Sequence, residues 1–149
     1  EMEAVFNVHG NLADGLVQEA ILSLLTDQSF DLLFTHGLQG EYTRHLRHIE
    51  VSEAVCALWI AGKLRTRCLC LFAYEDGGRR YLPHADVSAN AIISLPQDIW
   101  ERKYHIIHDL YGFAAESWEA QTTPRQEACR CFATSDSLAA WLTRHEVTL

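Results

Sequence analysis

The chain has 149 residues, 48% of them hydrophobic and 21% charged, the make-up of one soluble globular domain large enough to bury a core unaided. Its net charge of −8 argues against nucleic acid or an anionic membrane as the partner and suits a basic protein met by electrostatic steering. No apolar run approaches the ~20 residues that cross a bilayer, and "EMEAVFNVHG" lacks the basic and apolar regions of an intact signal peptide.

In chain order, residues 3–8 read as a strand. Asn11 is placed to cap a helix whose face carries Leu12, Leu16, Ala20 and Leu24, with Ile21 and Leu25 beside it, ending near Thr26. "FDLLFT" at 30–35 reads as a second strand, so this stretch predicts a βαβ-like unit with parallel strands. The polar, His-rich residues 40–50 read as an edge strand or a loop. Residues 52–61 read as a strand entering a hairpin at "IAGKL"; the rival is a helix capped by Ser52 and ended by Gly62. "YEDGGRRY" is a hairpin turn, because Asp-Gly-Gly supplies positive φ between strand-like runs. "ANAIISL" at 89–95 is one more strand.

Pro96 then opens a helix whose stripe is Trp100, Tyr104, Ile107 and Tyr111, with Gly112 as its natural stop. The stripe continues through Ala115 and Trp118, which leaves a longer helix open, and so is a hairpin of 113–120 with 127–134. Ser135 is placed to cap a last helix with Leu138, Ala139 and Leu142 on its apolar side. The expected fold class is α+β. It is a single domain over 1–149 with a mixed, mostly antiparallel sheet, the N-terminal βαβ-like unit, a long helix near 96–111 and a short C-terminal helix near 136–144.

Two His-Gly pairs, at His9 and His36, end apolar runs that a βαβ unit brings to one sheet edge, where open α/β sheets place ligands. That edge suits general acid–base work or metal ligation. "VFNVHGN" resembles the oxyanion-loop strand of α/β-hydrolases over seven residues, but the chain has no G-x-S-x-G, which excludes that fold. His36, His45 and His48 form a second group, yet interleaved Arg44 and Arg47 oppose a divalent cation, and an exposed His/Arg surface is the expectation. Cys56, the "CLC" pair Cys68 and Cys70, and the "CRC" pair Cys129 and Cys131 read as reduced, mostly buried thiols. His105 and Asp109 are spaced for a solvent-face ion pair, with His108 beside them.

Trp100, Tyr104, Tyr111 and Trp118 lie among Glu101, Glu116 and Glu119, an aromatic surface edged with carboxylates that fits a basic partner. No coherent catalytic set accompanies it. The sequence therefore points to a small acidic cytoplasmic binding protein, monomer or homodimer, without metal or other cofactor. In its most concrete form this is an immunity- or antitoxin-type inhibitor that occludes a basic toxin enzyme. The alternatives are a small hydrolase or metal-dependent enzyme using His9 and His36, and an acidic secretion chaperone or adaptor.

Overall fold

The computed structural model describes residues 15–25, 28–41 and 44–149. In chain order its elements are α1 (Leu16–Leu24), β1 (Ser29–Phe30), β2 (Leu33–Thr35), α2 (Leu46–Ile60), β3 (Arg65–Thr66), β4 (Leu69–Phe72), β5 (Tyr74–Glu75), β6 (His84–Ala85), β7 (Ala91–Ser94), α3 (Gln97–His105), a π-helical turn (Ile106–Leu110), α4 (Trp118–Gln121), β8 (Gln126–Phe132) and α5 (Ser135–Arg144). The content is α+β with mixed strand pairing, as the sequence predicts. The chain divides into two compact units, Glu1–Leu71 with Cys131–Leu149, and Phe72–Arg130. No described helix is long and apolar enough to cross a membrane.

In the first unit, β1 pairs in parallel with β3 and β2 with β4, in the register Leu33↔Leu69 to Thr35↔Leu71. Parallel neighbours need a crossover, and α2 supplies it. The first strand of the expected N-terminal βαβ unit, with His9 and the Asn11 cap, lies outside the described residues; the parallel crossover described is β2–α2–β4. "FDLLFT" is not one strand, since Asp31 and Leu32 separate β1 from β2. Residues 52–60 are the end of helix α2, which corrects the strand expectation for 52–61. α2 packs against α1, α5 and β2 and buries Ala54, Val55, Cys56, Leu58 and Trp59. Burial over so wide an arc removes the one-sided stripe that identifies a helix in sequence. Ser52 is no cap: it lies inside the helix, fully buried, and its hydroxyl donates to the Ile49 carbonyl at 2.9 Å.

Nor is "IAGKL" a hairpin. Gly62 takes φ 68°, its N–H donates to the Trp59 carbonyl at 3.0 Å, and the Lys63 N–H donates to the Leu58 carbonyl at 2.9 Å. That is a Schellman stop, which glycine accommodates without a Cβ penalty. The core joins Leu58 and Trp59 to Leu64, Leu69, Leu71, Phe132, Leu138 and Leu142. α5 is capped by Thr134 rather than Ser135. The Thr134 side chain accepts from the Ser137 N–H, and the Ser137 hydroxyl accepts from the Thr134 N–H.

In the second unit, β5 pairs with β6 in the antiparallel register Tyr74↔Ala85, and β7 with β8 in the register Ala91↔Cys129 to Ser94↔Gln126. The predicted turn is present, with Gly77, Gly78 and Arg79 all at positive φ, although its return strand begins at His84. α3 starts after Pro96, and Gly112 at φ 75° follows the π-helical turn, so the helix does not run on to Trp118. The 113–120 side of the rival hairpin holds α4, and β8 pairs with β7.

Candidate functional site

β2 ends at Thr35, and His36 follows at its carboxyl end. The chain then turns sharply, with Gly40 at φ 71°, Glu41 at φ 57° and Arg44 at φ 53°. A Cβ on Gly40 would lie 2.5 Å from the His45 backbone nitrogen, so the turn admits only glycine there. The left-handed Glu41 sends its carboxylate back along the loop. Oε1 accepts from the Gly37 N–H at 3.1 Å and from His36 Nδ1 at 2.9 Å, and Oε2 accepts from His48 Nδ1 at 3.0 Å. His48 stands in the first turn of α2, which His45 caps by accepting the Arg47 N–H at 3.2 Å.

A carboxylate only accepts, so this network assigns the proton of each ring to Nδ1 and leaves Nε2 as the acceptor. The rings of His36 and His48 stack with centroids 3.8 Å apart and planes 6° from parallel, and His45 leans on His48 at 4.8 Å. The Glu41 side chain is 9% exposed and each imidazole 35%. Burial, then the neighbouring His36, hold His48 below the ordinary imidazole pKa, against the opposing pull of Glu41. His36, Glu41 and His48 offer ligand atoms that all lie within 4.8 Å of one another. Chemically the group is two imidazoles, each oriented by one shared carboxylate, a form that serves proton transfer or metal ligation.

The structure therefore brings together His36, His45 and His48, and it adds Glu41, which the sequence reading missed. The only local signal was an acid directly after a glycine in "HGLQGE". His9 lies outside the described residues.

The cysteines depart from expectation. Cys70 on β4 and Cys131 on β8 form a disulfide with their Cα atoms 4.1 Å apart, because these strands bring together two runs that sequence spacing leaves 61 residues apart. Cys68 Sγ lies 3.8 Å from Cys70 Sγ and is half-buried. Cys56 and Cys129 are buried free thiols, and burial pushes Cys56 up to about 12, so it is inert at neutral pH.

In the second unit the aromatic–acidic residues separate into two groups. Trp100 and Tyr104 stack at 5.3 Å and are half-buried. The Trp100 indole N–H donates to the Thr123 carbonyl, and the Arg125 guanidinium lies 3.8 Å over its ring. Trp118 is half-buried at the start of α4. These three aromatics are packing residues as much as surface. Glu101, Glu116 and Glu119 are exposed, and Tyr111 is 73% exposed.

Beside Tyr111 the π-helical turn presents Leu110 at 70% and Ile106 at 44% exposure, two apolar residues the sequence reading did not single out. The Tyr111 N–H donates to the Ile106 carbonyl at 3.0 Å, and His108 Nδ1 donates to the Phe113 carbonyl at 2.6 Å, which fixes the turn. α4 packs against this turn. His105 and Asp109 form the exposed pair expected of their spacing, at 2.5 Å. A cleft of about 450 Å³ lies between His84, Leu95, Thr122 and Arg125. Its Thr122 hydroxyl donates to the Trp118 carbonyl, and its His84 Nδ1 donates to the Ala85 carbonyl. No known protein family, curated protein or solved structure matches the chain.

Proposed function

We propose that the chain is a protein-binding domain that docks a basic partner on the end of α3, as an immunity- or antitoxin-type inhibitor occludes a toxin enzyme. The observation that carries this reading is the exposed apolar tip, Ile106, Leu110 and Tyr111, on a π-helical turn. Large exposed side chains on one short segment are the material of interface hot spots, and π-turns recur at functional sites. Five carboxylates stand against two cations between Gln97 and Gln121, and Asp109 sits within the tip itself. A cationic partner surface complements that charge, which speeds encounter and excludes acidic competitors.

The test is capture from the native host by the wild-type chain and by a Leu110→Ser/Tyr111→Ser double variant, at low and high salt. The expected result is one stoichiometric basic protein whose enzymatic activity the chain inhibits. Its capture weakens with salt and falls at least about 30-fold in the variant. A basic partner with no activity to inhibit replaces the inhibitor by an adaptor or secretion chaperone. Recovery of no basic partner, or of one indifferent to the variant, overturns the reading.

A further inference from the structure

We propose that His36, Glu41 and His48 form a binding site for a divalent transition-metal ion of the zinc class. The inference rests on the first unit alone and is independent of the partner reading.

Two imidazoles and one carboxylate suit Zn²⁺ and the neighbouring first-row ions, whereas Ca²⁺ and Mg²⁺ call for all-oxygen sites. Among the described residues the second such grouping, Cys68 with Cys70 and Cys131, offers one thiol, because the latter two are joined. Tetrahedral ligands on an ion with bonds of ~2.1 Å lie about 3.4 Å apart, and the three ligand atoms here all lie within 4.8 Å of one another. The two nitrogen-to-oxygen distances to Glu41 are 2.9 Å and 3.0 Å. The ion takes the place of the two shared protons. Each proton moves from Nδ1 to Nε2, so both rings ligate as neutral imidazoles and no other group changes charge.

Glu41 is oriented by the Gly37 N–H and by a backbone turn that only Gly40 permits, so the carboxylate is placed before any ion arrives. One rearrangement is required. A metal bonded to an imidazole nitrogen lies in the ring plane, and two nearly parallel planes 3.8 Å apart share no such point. One ring must turn about its Cβ–Cγ bond, and the 35% exposure of each leaves room on the solvent side. Two features oppose the ion. The N-terminal end of α2 is electropositive, and Arg44 and Arg47 lie close in sequence, although the Arg47 guanidinium is paired with Glu50. The Glu41 charge offsets them, and waters fill the remaining positions.

The probe is Co²⁺ added to the chelator-treated full chain, read by visible absorption and then by displacement with Zn²⁺. The expected result is one Co²⁺ per chain with weak nitrogen–oxygen-type bands and no sulfur charge-transfer band. His36→Asn, His48→Asn and Glu41→Gln should each weaken binding by more than about tenfold. His105→Asn and Cys68→Ser should leave it unchanged. Circular dichroism confirms that each variant is folded; if Glu41→Gln fails to fold, the two histidine variants decide alone. Folded wild-type chain that takes up no Co²⁺, uptake that survives both histidine variants, or a sulfur band lost in Cys68→Ser would each overturn the proposal.

Discussion

Glu127, on β8, accepts hydrogen bonds from the Tyr74 hydroxyl and the Lys103 ammonium. Pairing and burial oppose each other at this carboxyl. The Lys103 contact favours its charge, and burial, the larger effect, pushes it from 4.5 up to about 7 while pushing Lys103 down. A carboxyl whose folded pKa exceeds its unfolded pKa holds more protons when folded. Its contribution to stability therefore falls as pH rises from 4.5 through about 7 and stays unfavourable above. At ~1.4 kcal/mol per pH unit, that interval sets an upper bound of about 3 kcal/mol. Glu127→Gln keeps the size and the acceptor oxygen and removes the titration.

Urea unfolding of both chains from about pH 4.5 to about 8.5 at fixed ionic strength reads out Glu127 together with its coupling to Lys103, because the two chains differ only at position 127. The variant should match wild type at the acid end and gain on it with rising pH, by up to about 3 kcal/mol at the alkaline end. A difference that stays flat, or a variant less stable at the alkaline end, would show that the ion pair with Lys103 outweighs burial.

Leu138→Ala removes a fully buried side chain from the first core and should cost about 2–5 kcal/mol, read as a lower urea midpoint with an unchanged slope. Gly40→Ala drives a Cβ into the His45 backbone; it should lower Tm and move the imidazole NMR signals of both His36 and His48 as the Glu41 bridge is lost. At Asp86, burial opposes the charge, but hydrogen bonds from Arg130 and Ser88 outweigh it and hold the carboxyl below its ordinary value. Asp86→Asn should cost about 1–3 kcal/mol at neutral pH. That cost should begin to fall below the unfolded value of 3.8 and be gone once pH passes below the lower folded value, and unfolding at several pH values measures it. Peptide mapping without reductant should recover Cys70 joined to Cys131, with Cys56 and Cys129 free.

Local chemistry alone determined several elements of this protein. Pro96 and Gly112 bracket the long helix, Asp-Gly-Gly makes the turn after Tyr74, and the short β-branched run Ile92-Ile93 marks β7; each depends on φ preference or local propensity within a few residues. Acidity and the absence of a nucleophile elbow were equally readable from the chain. Tertiary structure decided the rest. Residues 46–60 are helix because α1, α5 and β2 surround them, and burial on several sides erases the stripe that would have announced it. Cys70 finds Cys131 only when β4 and β8 place them together. The histidines at 36 and 48 were visible as residues but not as a pair. What joins them is Glu41, aimed by positive φ at Gly40 and Glu41 and by a loop that returns onto the first turn of α2. Likewise Leu110 became a candidate contact only once the π-helical turn left it exposed, because exposure is a property of packing, which no sequence window contains.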